Sequence, residues 1–347
     1  MKRIKKIVLQ QFQDNPERNR RIVCFGGGNA MPKAVLEVLK NYPLKITSVS
    51  SMFDSGGSSG QLRKEFNVLP PGDIRRHILA LSEAPNWKKD LWKWRFNSFG
   101  DVEVKPQPSQ ARHQGHNFGN VFLAGLEYIL KDYQKALKLA HDFMEVKKHR
   151  ALPITIDKTH LVAELEDGTI IKGEDEIDVP KKHNPNLRIK KLFLKPNLKI
   201  FPETKKAILN ADLITIGPGD IYSSIIPCFL PEGVKEALKK SEAKKIFICP
   251  AMTKLGETKD FSVFDFTNEV EKYLDFTLDY VIYNTEIPVQ KRLKEYKRKE
   301  KLFLNLVKID ENLDKKKFIG KNLLVKSGPI IYDPEKVVKI ILNLFKF

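Results

Sequence analysis

The sequence lacks the features expected of a thiol-based, disulfide-linked or membrane-spanning protein. Its three cysteines, Cys24, Cys228 and Cys249, are scattered with no metal-ligand spacing. Each lies in an apolar run, which favours a buried free thiol in a reducing compartment. No apolar run reaches about 18 residues, and the basic N-terminus lacks the apolar segment of a signal peptide. We therefore expect a cytoplasmic protein without a membrane span.

Common catalytic and nucleotide-binding signatures are also missing. The sequence contains no recognisable serine-histidine-aspartate or cysteine-histidine motif, so it does not indicate nucleophilic catalysis. The glycine turn at residues 26–29 lacks the G-x-G-x-x-G of dinucleotide-binding enzymes. It also lacks the lysine and serine or threonine of a P-loop. A phosphate could still be held at this turn, by backbone N–H groups at the N-terminus of the helix that follows.

Positive charge is abundant. The net charge is +18, and lysines cluster in residues 181–195, 291–301 and 315–321. Such charge could attract nucleic acid or an anionic membrane surface. None of the clusters matches a nucleic-acid motif, so solvated lysine-rich faces are the favoured interpretation and we expect no nucleic-acid partner. Attraction of phosphorylated ligands fits either interpretation, and a homodimer is left open.

The order of predicted elements indicates an α/β fold. A strand at 21–25 leads through a glycine turn into a helix at 31–39, and a second strand follows at 44–49. This order is the first βαβ unit of a doubly wound sheet. Residues 1–21 form a basic lead-in, and the α/β domain occupies 22–347. Within it we predict a mobile polar loop at 97–114 and a β insertion at 152–195.

Polar or glycine-rich loops follow five predicted strands. They lie at residues 26–29, 54–60, 217–220 and 253–258, and at Asn284. Because the carboxyl ends of parallel strands meet at one edge of a sheet, these loops should converge on one crevice. That convergence is the strongest functional signal in the sequence.

Two of these loops are predicted to hold a phosphate. The candidate residues are Gly26, Gly27, Gly28, Asn29, Gly217, Gly219 and Asp220. Glycine lets backbone N–H groups approach an anion closely, and a helix N-terminus favours negative charge. A plain turn is the alternative for the first loop, and Asp220 could instead cap the following helix.

The stretch at residues 51–76 organises the rest of the predicted site. Glycines and serines offer backbone and hydroxyl donors to an anion, namely Gly56, Gly57, Ser58 and Ser59. Asp73 could cap the helix at 74–81 and precedes Arg75. A flexible surface loop is the alternative interpretation of the whole stretch.

Other polar residues of the predicted site each have more than one possible role. Asp54 could ligate Mg²⁺, bind a sugar hydroxyl or simply complete a turn. His116 could bind phosphate, act as an acid or hold the helix that follows. Glu257 could bind ribose hydroxyls or begin a turn, and Thr253 and Thr258 could each donate to phosphate.

As an ensemble these segments resemble the CofD/YvcK-like family, which contains 2-phospho-L-lactate transferase and its bacterial relatives called gluconeogenesis factor. The bacterial branch is the more similar. The resemblance spans residues 21–345. It rests on Gly26 to Gly28, Asp54 with Gly56 to Gly60, Leu69 to Arg75, Gly115-His116 with Gly119-Asn120, Leu161 to Gly173, Gly217-Pro218-Gly219 with Tyr222, Met252-Thr253 with Gly256-Glu257-Thr258, and Asp279 to Val281.

The resemblance implies a three-layer α/β/α Rossmann-like body with a mainly parallel sheet and a small antiparallel β insertion. It implies a cytoplasmic regulator that binds a UDP-sugar and is linked to carbon metabolism and cell-envelope growth. The alternative it implies is a Mg²⁺-dependent transferase that moves a phospholactyl group from a guanosine diphosphate carrier to a deazaflavin. It also places Asn120 beside His116 on the substrate side of the site.

The chain departs from the family pattern at several positions. Asn29-Ala30 replace the usual Thr-Gly, and a single aspartate, Asp54, replaces a pair. Arg76 stands where the family usually has asparagine, and Leu255 where it has proline. Ile331-Tyr332-Asp333 replace Arg-His-Asp before the last helix.

Overall fold

The computed structural model describes residues 20–96 and 115–345. The predicted loop at 97–114 and most of the predicted lead-in therefore lie outside the described residues. Every helix within the described ranges is too short or too polar to cross a lipid bilayer. The strands are β1 (Arg21–Phe25), β2 (Lys45–Ser50), β3 (Arg150–Pro153), β4 (His160–Leu165), β5 (Ile170–Lys172), β6 (Ile189–Lys195), β7 (Leu213–Ile216), β8 (Lys244–Ile248), β9 (Met252–Lys254), β10 (Tyr280–Asn284), β11 (Phe303–Leu306) and β12 (Phe318–Lys321).

The helices begin with α1, a π-helical turn over Pro32–Leu36 that continues through Glu37–Leu39. The others are α2 (Gly57–Phe66), α3 (Gly72–Leu81), α4 (Asn86–Lys93), α5 (Phe118–Leu130), α6 (Tyr133–Phe143), α7 (Glu174–Asp178), α8 (Pro202–Leu209), α9 (Val234–Lys240), α10 (Val263–Leu274), α11 (Gln290–Lys299) and α12 (Pro334–Leu344). A π-helical turn, Ile221–Ile225, and a 3-10 turn, Ile226–Phe229, precede α9.

Seven strands form one parallel sheet, in the order β12-β10-β8-β7-β1-β2-β3. In β1, Ile22 is paired with Ile46 of β2 on one side and with Leu213 of β7 on the other. Parallel strands buried on both faces are built from nearly continuous apolar runs, as β1 and β7 are. Their carboxyl ends form a single edge of the sheet.

The sheet is the middle of three layers. Ile22 and Cys24 of β1 face a core that includes α1, α3, α6 and α12. Val23 and Phe25 face the opposite core, which includes α8, α9 and α10. Successive side chains of a strand point to opposite faces, so one apolar strand serves both cores. The predicted α/β/α architecture is confirmed.

A smaller antiparallel sheet, ordered β5-β4-β6, lies within residues 152–195. Residues 152 and 153 themselves end β3, which pairs with β2 in the main sheet. The short helix α7 follows β5 and carries a dense acidic sequence, Glu174 to Asp178. This helix turns out to join the small sheet to the carboxyl edge of the large one.

Two local expectations are wrong. Asp73 does not cap α3, because the helix begins one residue earlier, at Gly72, and Asp73 lies in its first turn. Thr253 is not in a loop, since it lies within β9, which pairs with β11 in an antiparallel ladder. The three cysteines are buried and free, as predicted. Burial raises the pKa of Cys24 to about 12, which keeps its thiol protonated and inert.

Candidate functional site

Two glycine turns lie against each other at the carboxyl edge, after β1 and β7. A Cβ built on Gly219 would lie 3.5 Å from the backbone nitrogen of Gly27. A Cβ built on Gly27 would lie 2.5 Å from Ser224 Oγ, so packing of the first turn against the π-helical turn Ile221–Ile225 requires glycine at position 27. The structure thus brings together the two loops predicted to hold a phosphate.

The N–H groups of these turns differ in their availability. Gly26 donates to Val49 at 3.3 Å and Gly217 donates to Phe25 at 2.8 Å, so both continue the sheet. The N–H groups of Gly27, Gly28 and Gly219 donate to no acceptor in the described part of the chain. Buried backbone donors are nearly always paired, so donors left open at a strand edge favour an external acceptor. Any anion here would be held by these three groups.

A group of carboxylates, Asp54, Asp73 and Glu174, lies beside the first turn, and we call it the Asp54 cluster. Asp54 Oδ2 lies so close to Gly72 that a Cβ there would be 2.6 Å away, and Gly72 precedes Asp73. Glu174 Oε2 accepts from the Ser55 N–H at 3.4 Å. Among the residues that the structure describes, only Arg76 pairs with this cluster, through Asp73 at 3.2 Å.

Burial and mutual repulsion shift the titration of this cluster. Burial, followed by the charge of Asp73, raises the pKa of Asp54 to about 6, although Gly56 N–H and the Ser59 hydroxyl donate to it. Burial, with the charges of Asp54, Asp178 and Asp73, raises the pKa of Glu174 well above its usual value. Like-charged carboxylates that share a buried site hold their protons longer. A divalent cation would relieve this repulsion, and carboxylate oxygens are the ligands Mg²⁺ prefers.

A polar network connects four predicted substrate residues. Ser58 Oγ lies 3.1 Å from His116 Nδ1 and accepts from Asn120 Nδ2 at 3.2 Å. Asn120 Oδ1 in turn accepts from Arg75 Nε at 2.8 Å. The network orients Arg75 and joins α2, α3 and α5 at one side of the crevice. Gly56 and Gly57 lie just before it, at the start of α2.

A second acidic group, which we call the Lys254 cluster, contains Asp178, Asp220 and Glu257 around the ammonium of Lys254. Lys254 Nζ donates to Asp220 and to Glu257, each at 2.8 Å, and also to Asp178. Lys254 and Glu257 are each 4% exposed. The three carboxylates have oxygens within 4.8 Å of one another, an arrangement that otherwise suits a metal ion. Here the lysine supplies the positive charge.

The second oxygen of Glu257 is also held internally, by the N–H groups of Tyr222 at 2.9 Å and Ser223 at 3.3 Å. Burial would lower the pKa of Lys254, but the three carboxylates together raise it well above its usual value. Burial raises the pKa of Glu257 to about 7 against the opposing effect of Lys254. Three carboxylates around one ammonium leave excess negative charge, so one of the carboxylates keeps its proton to a higher pH than usual.

The remaining predicted site residues have internal partners or stand apart. The Thr253 hydroxyl contacts the backbone of Asn305, and the Thr258 hydroxyl accepts from the Lys254 N–H at 3.0 Å. The Asn284 side chain closes its own turn with Glu286 and accepts from the Leu323 N–H at 3.1 Å. Asn29 is exposed. These contacts indicate how each loop is held, and a ligand role for these residues stays a prediction.

Sequence reasoning missed the contribution of α7 and of Lys254. Ser55 Oγ donates to Asp175 at 2.5 Å, and Ser223 Oγ donates to Asp178 at 3.2 Å, so α7 links both sides of the crevice. The signal was an acidic run, Glu174 to Asp178, in a strongly basic chain. Lys254 lies within the Met252 to Thr258 segment and carried no signal of its own, because only its neighbours in space make it unusual.

The chain is similar to known proteins over most of its length. Residues 22–324 match the family described as 2-phospho-L-lactate transferase CofD. A Bacillus subtilis protein named gluconeogenesis factor is 33% identical over 335 residues, which covers 94% of this chain and 98% of that protein. A Halalkalibacterium halodurans protein of the same name is 36% identical over 249 residues, covering 72% of each chain.

The fold also recurs in a solved structure. A crystal structure of a Bacillus halodurans protein superposes with a TM-score of 0.81 at 32% sequence identity, and the match covers 94% of this chain and 100% of that one. A second crystal structure from the same organism, described as a member of the UPF0052 family, also gives a TM-score of 0.81.

Proposed function

The chain belongs to the CofD family and groups with the proteins named gluconeogenesis factor, and we propose that it is a cytoplasmic regulator that binds a nucleotide sugar. The proposal links binding of a UDP-sugar to carbon metabolism and to cell-envelope growth and shape. The diphosphate of the ligand lies between the two glycine turns. Binding, rather than turnover, is the role we assign to the pocket.

One observation carries the proposal. The N–H groups of Gly27, Gly28 and Gly219, which have no acceptor among the described residues, point to an external acceptor at the carboxyl edge of the sheet, where open α/β sheets bind ligands. Backbone donors in a turn that leads into a helix are suited to phosphate oxygens. The names of the relatives support a role in carbon metabolism.

Mg²⁺ is part of this proposal. Asp54 and Asp73 would hold the ion, because their half-buried carboxylates repel each other and only Arg76 forms an ion pair with either of them in the described ranges. When bound, the ion would neutralise negative charge on the ligand diphosphate. Glu174 would contribute further negative charge from α7.

Titration calorimetry with UDP-glucose, UDP-N-acetylglucosamine and GDP tests the proposal. We expect heat with a uridine nucleotide sugar and its loss in Gly27→Val, because the added side chain would collide with Ser224 and fill the space beside Gly219. The substitution removes no charge, so the loss would be steric. Affinity should fall at least about 100-fold, the equivalent of two charge-assisted hydrogen bonds.

Gly125→Val is the matched control, because a Cβ at Gly125 on α5 meets no atom within 4 Å. Circular dichroism and thermal unfolding of both variants verify that each is folded, and Gly27→Ala supplies a milder variant. Absence of heat with all three nucleotides at millimolar concentration would overturn the proposal. A clear preference for GDP would instead favour the transferase alternative.

A further inference from the structure

Three arginines, Arg75, Arg76 and Arg95, lie on one side of the crevice. Arg76 reaches the site through Asp73, with which it pairs at 3.2 Å. Asp73 contacts Gly28 so closely that a Cβ on that glycine would collide with its carboxylate. Arg76 is therefore one side chain away from the turn that we assign to the diphosphate.

Arg75 is buried and has no carboxylate partner within residues 20–96 and 115–345. Its residue is only 5% exposed, and its backbone carbonyl accepts from Trp92 Nε1 at 3.1 Å. Gly119 and Trp92 pack against each other and against its side-chain stem: a Cβ on Gly119 would lie 2.8 Å from Arg75 Cδ and 2.9 Å from the Trp92 ring. Only Nε has a hydrogen-bond acceptor, Asn120, among the residues described. The two terminal nitrogens of a rigidly held guanidinium are thus left for another acceptor.

Arg95 lies at the same side. It forms an isolated bridge with Asn117, whose N–H donates to Ser58 Oγ at 3.4 Å, next to the Asn120–Arg75 contact. Its Nη1 donates to the Gly115 carbonyl at 3.3 Å, and within the described ranges it forms no ion pair. Burial, then the charges of Arg76 and Arg95, lowers the pKa of Arg75 to about 9, and Asp73 and Asp54 offset only part of this. Arg75 thus contacts Asn120, Arg95 is bridged to Asn117 three residues earlier, and Arg76 follows Arg75 in α3.

Buried charges are almost always paired, and guanidinium groups bind carboxylate and phosphate through two parallel hydrogen bonds. We propose that Arg75, Arg76 and Arg95 form a second anion subsite, which takes a carboxylate or phosphate of the ligand separate from its diphosphate. The subsite rests on the proposed function and deepens it: the ligand is an acidic nucleotide sugar. Arg76, a residue in which the chain departs from the family pattern, supplies charge that an asparagine there would not.

UDP-glucuronate and UDP-glucose provide the test, because they differ only in a carboxylate in place of a hydroxymethyl group. We expect calorimetry to show UDP-glucuronate binding about tenfold more tightly, as one charge-assisted contact predicts. Arg76→Gln and Arg95→Gln should each bring the two Kd values together, whereas Arg76→Lys should keep part of the preference. Arg188→Gln removes the same charge from an exposed position and should leave the ratio unchanged.

The outcomes separate this inference from the function on which it rests. If neither nucleotide sugar binds, the proposed function itself fails. If both bind with equal affinity, or if Arg76→Gln weakens both equally, the arginines act on the diphosphate and the second subsite is overturned. If millimolar inorganic phosphate raises the affinity for UDP-glucose, the subsite exists and its occupant is a free phosphate.

Discussion

Two acidic clusters lie at the same edge of the sheet and differ in how their charge is balanced. In the Lys254 cluster, a buried ammonium contacts all three carboxylates. Among the described residues, the Asp54 cluster takes part in one ion pair, that of Arg76 with Asp73. The helix α7 carries a member of each, Asp178 in the first and Glu174 in the second, within a single turn.

The difference indicates a division of roles. Buried charges that pair with each other within the protein have a structural role, because removing one partner leaves the other charge buried and uncompensated. The Lys254 cluster accordingly joins three parts of the fold: α7, β9 and the loop that follows β7. A charge that is left without a counterion is costly unless a ligand supplies one. We therefore assign a structural role to the Lys254 cluster and propose that the Asp54 cluster binds a cation.

The largest effect is expected on removing the internal cation. Lys254→Met leaves three close carboxylates with no ammonium, and it should lower the free energy of unfolding by about 3–5 kcal/mol. Urea denaturation monitored by circular dichroism measures this, with Mg²⁺ added in a second series. Because the oxygens of these carboxylates lie within 4.8 Å of one another, the ion should restore part of the loss.

Lys239→Met is the matched control for that substitution. Lys239 pairs with Asp275 at 2.6 Å on the surface, with 43% and 76% of the two side chains exposed. Loss of such a pair should cost about 0–1 kcal/mol. Equal effects of the two substitutions would remove the distinction between the clusters.

A smaller effect of opposite sign is expected for Asp54→Asn. The pKa of Asp54 is raised from 3.8 to about 6 in the folded protein, so its ionisation costs stability as pH rises through that interval, and the cost is fully present at pH 7.5. Without divalent ions, the substitution should therefore raise the free energy of unfolding by about 1–2 kcal/mol, after the loss of its charge-assisted hydrogen bonds. It should also abolish any stabilisation by Mg²⁺.

Asp90→Asn serves for comparison, since Asp90 pairs with Lys93 at a side-chain exposure of 69%. Its effect should stay within about 0.5 kcal/mol of zero. A destabilised Asp54→Asn protein would mean that Asp54 is already neutralised within the fold.

The smallest effect concerns the pH dependence of Mg²⁺ binding. The ion competes with the proton on Asp54, so its stabilising effect, about 1 kcal/mol at a few times its Kd, should be present at pH 7.5 and fade below about pH 6. Differential scanning fluorimetry at pH 5.0 and 7.5, with and without Mg²⁺, measures it. An increment that is the same at both pH values would place the ion elsewhere.

Much of the fold followed from local patterns. Apolar runs at 21–25 and 213–216 predicted buried parallel strands, and Gly168 between two alternating segments predicted the β4–β5 hairpin. These patterns are reliable because the periodicity of a strand is a property of consecutive residues. Pairing of β9 with β11 was not predictable in the same way, since about 50 residues separate them and each is short.

The candidate site was likewise predictable only in part. The sequence alone determined that polar loops follow several parallel strands. These loops must lie at one edge of the sheet, because all the strands run in the same direction. Only the tertiary structure decided which carboxylates share a cation. Asp178, Asp220 and Lys254 are far apart in the chain, and Lys254 neutralises them because packing of α7 against the sheet brings them within hydrogen-bonding distance. Charge balance in a buried site depends on distances of a few ångströms, and those are set by packing rather than by the order of residues.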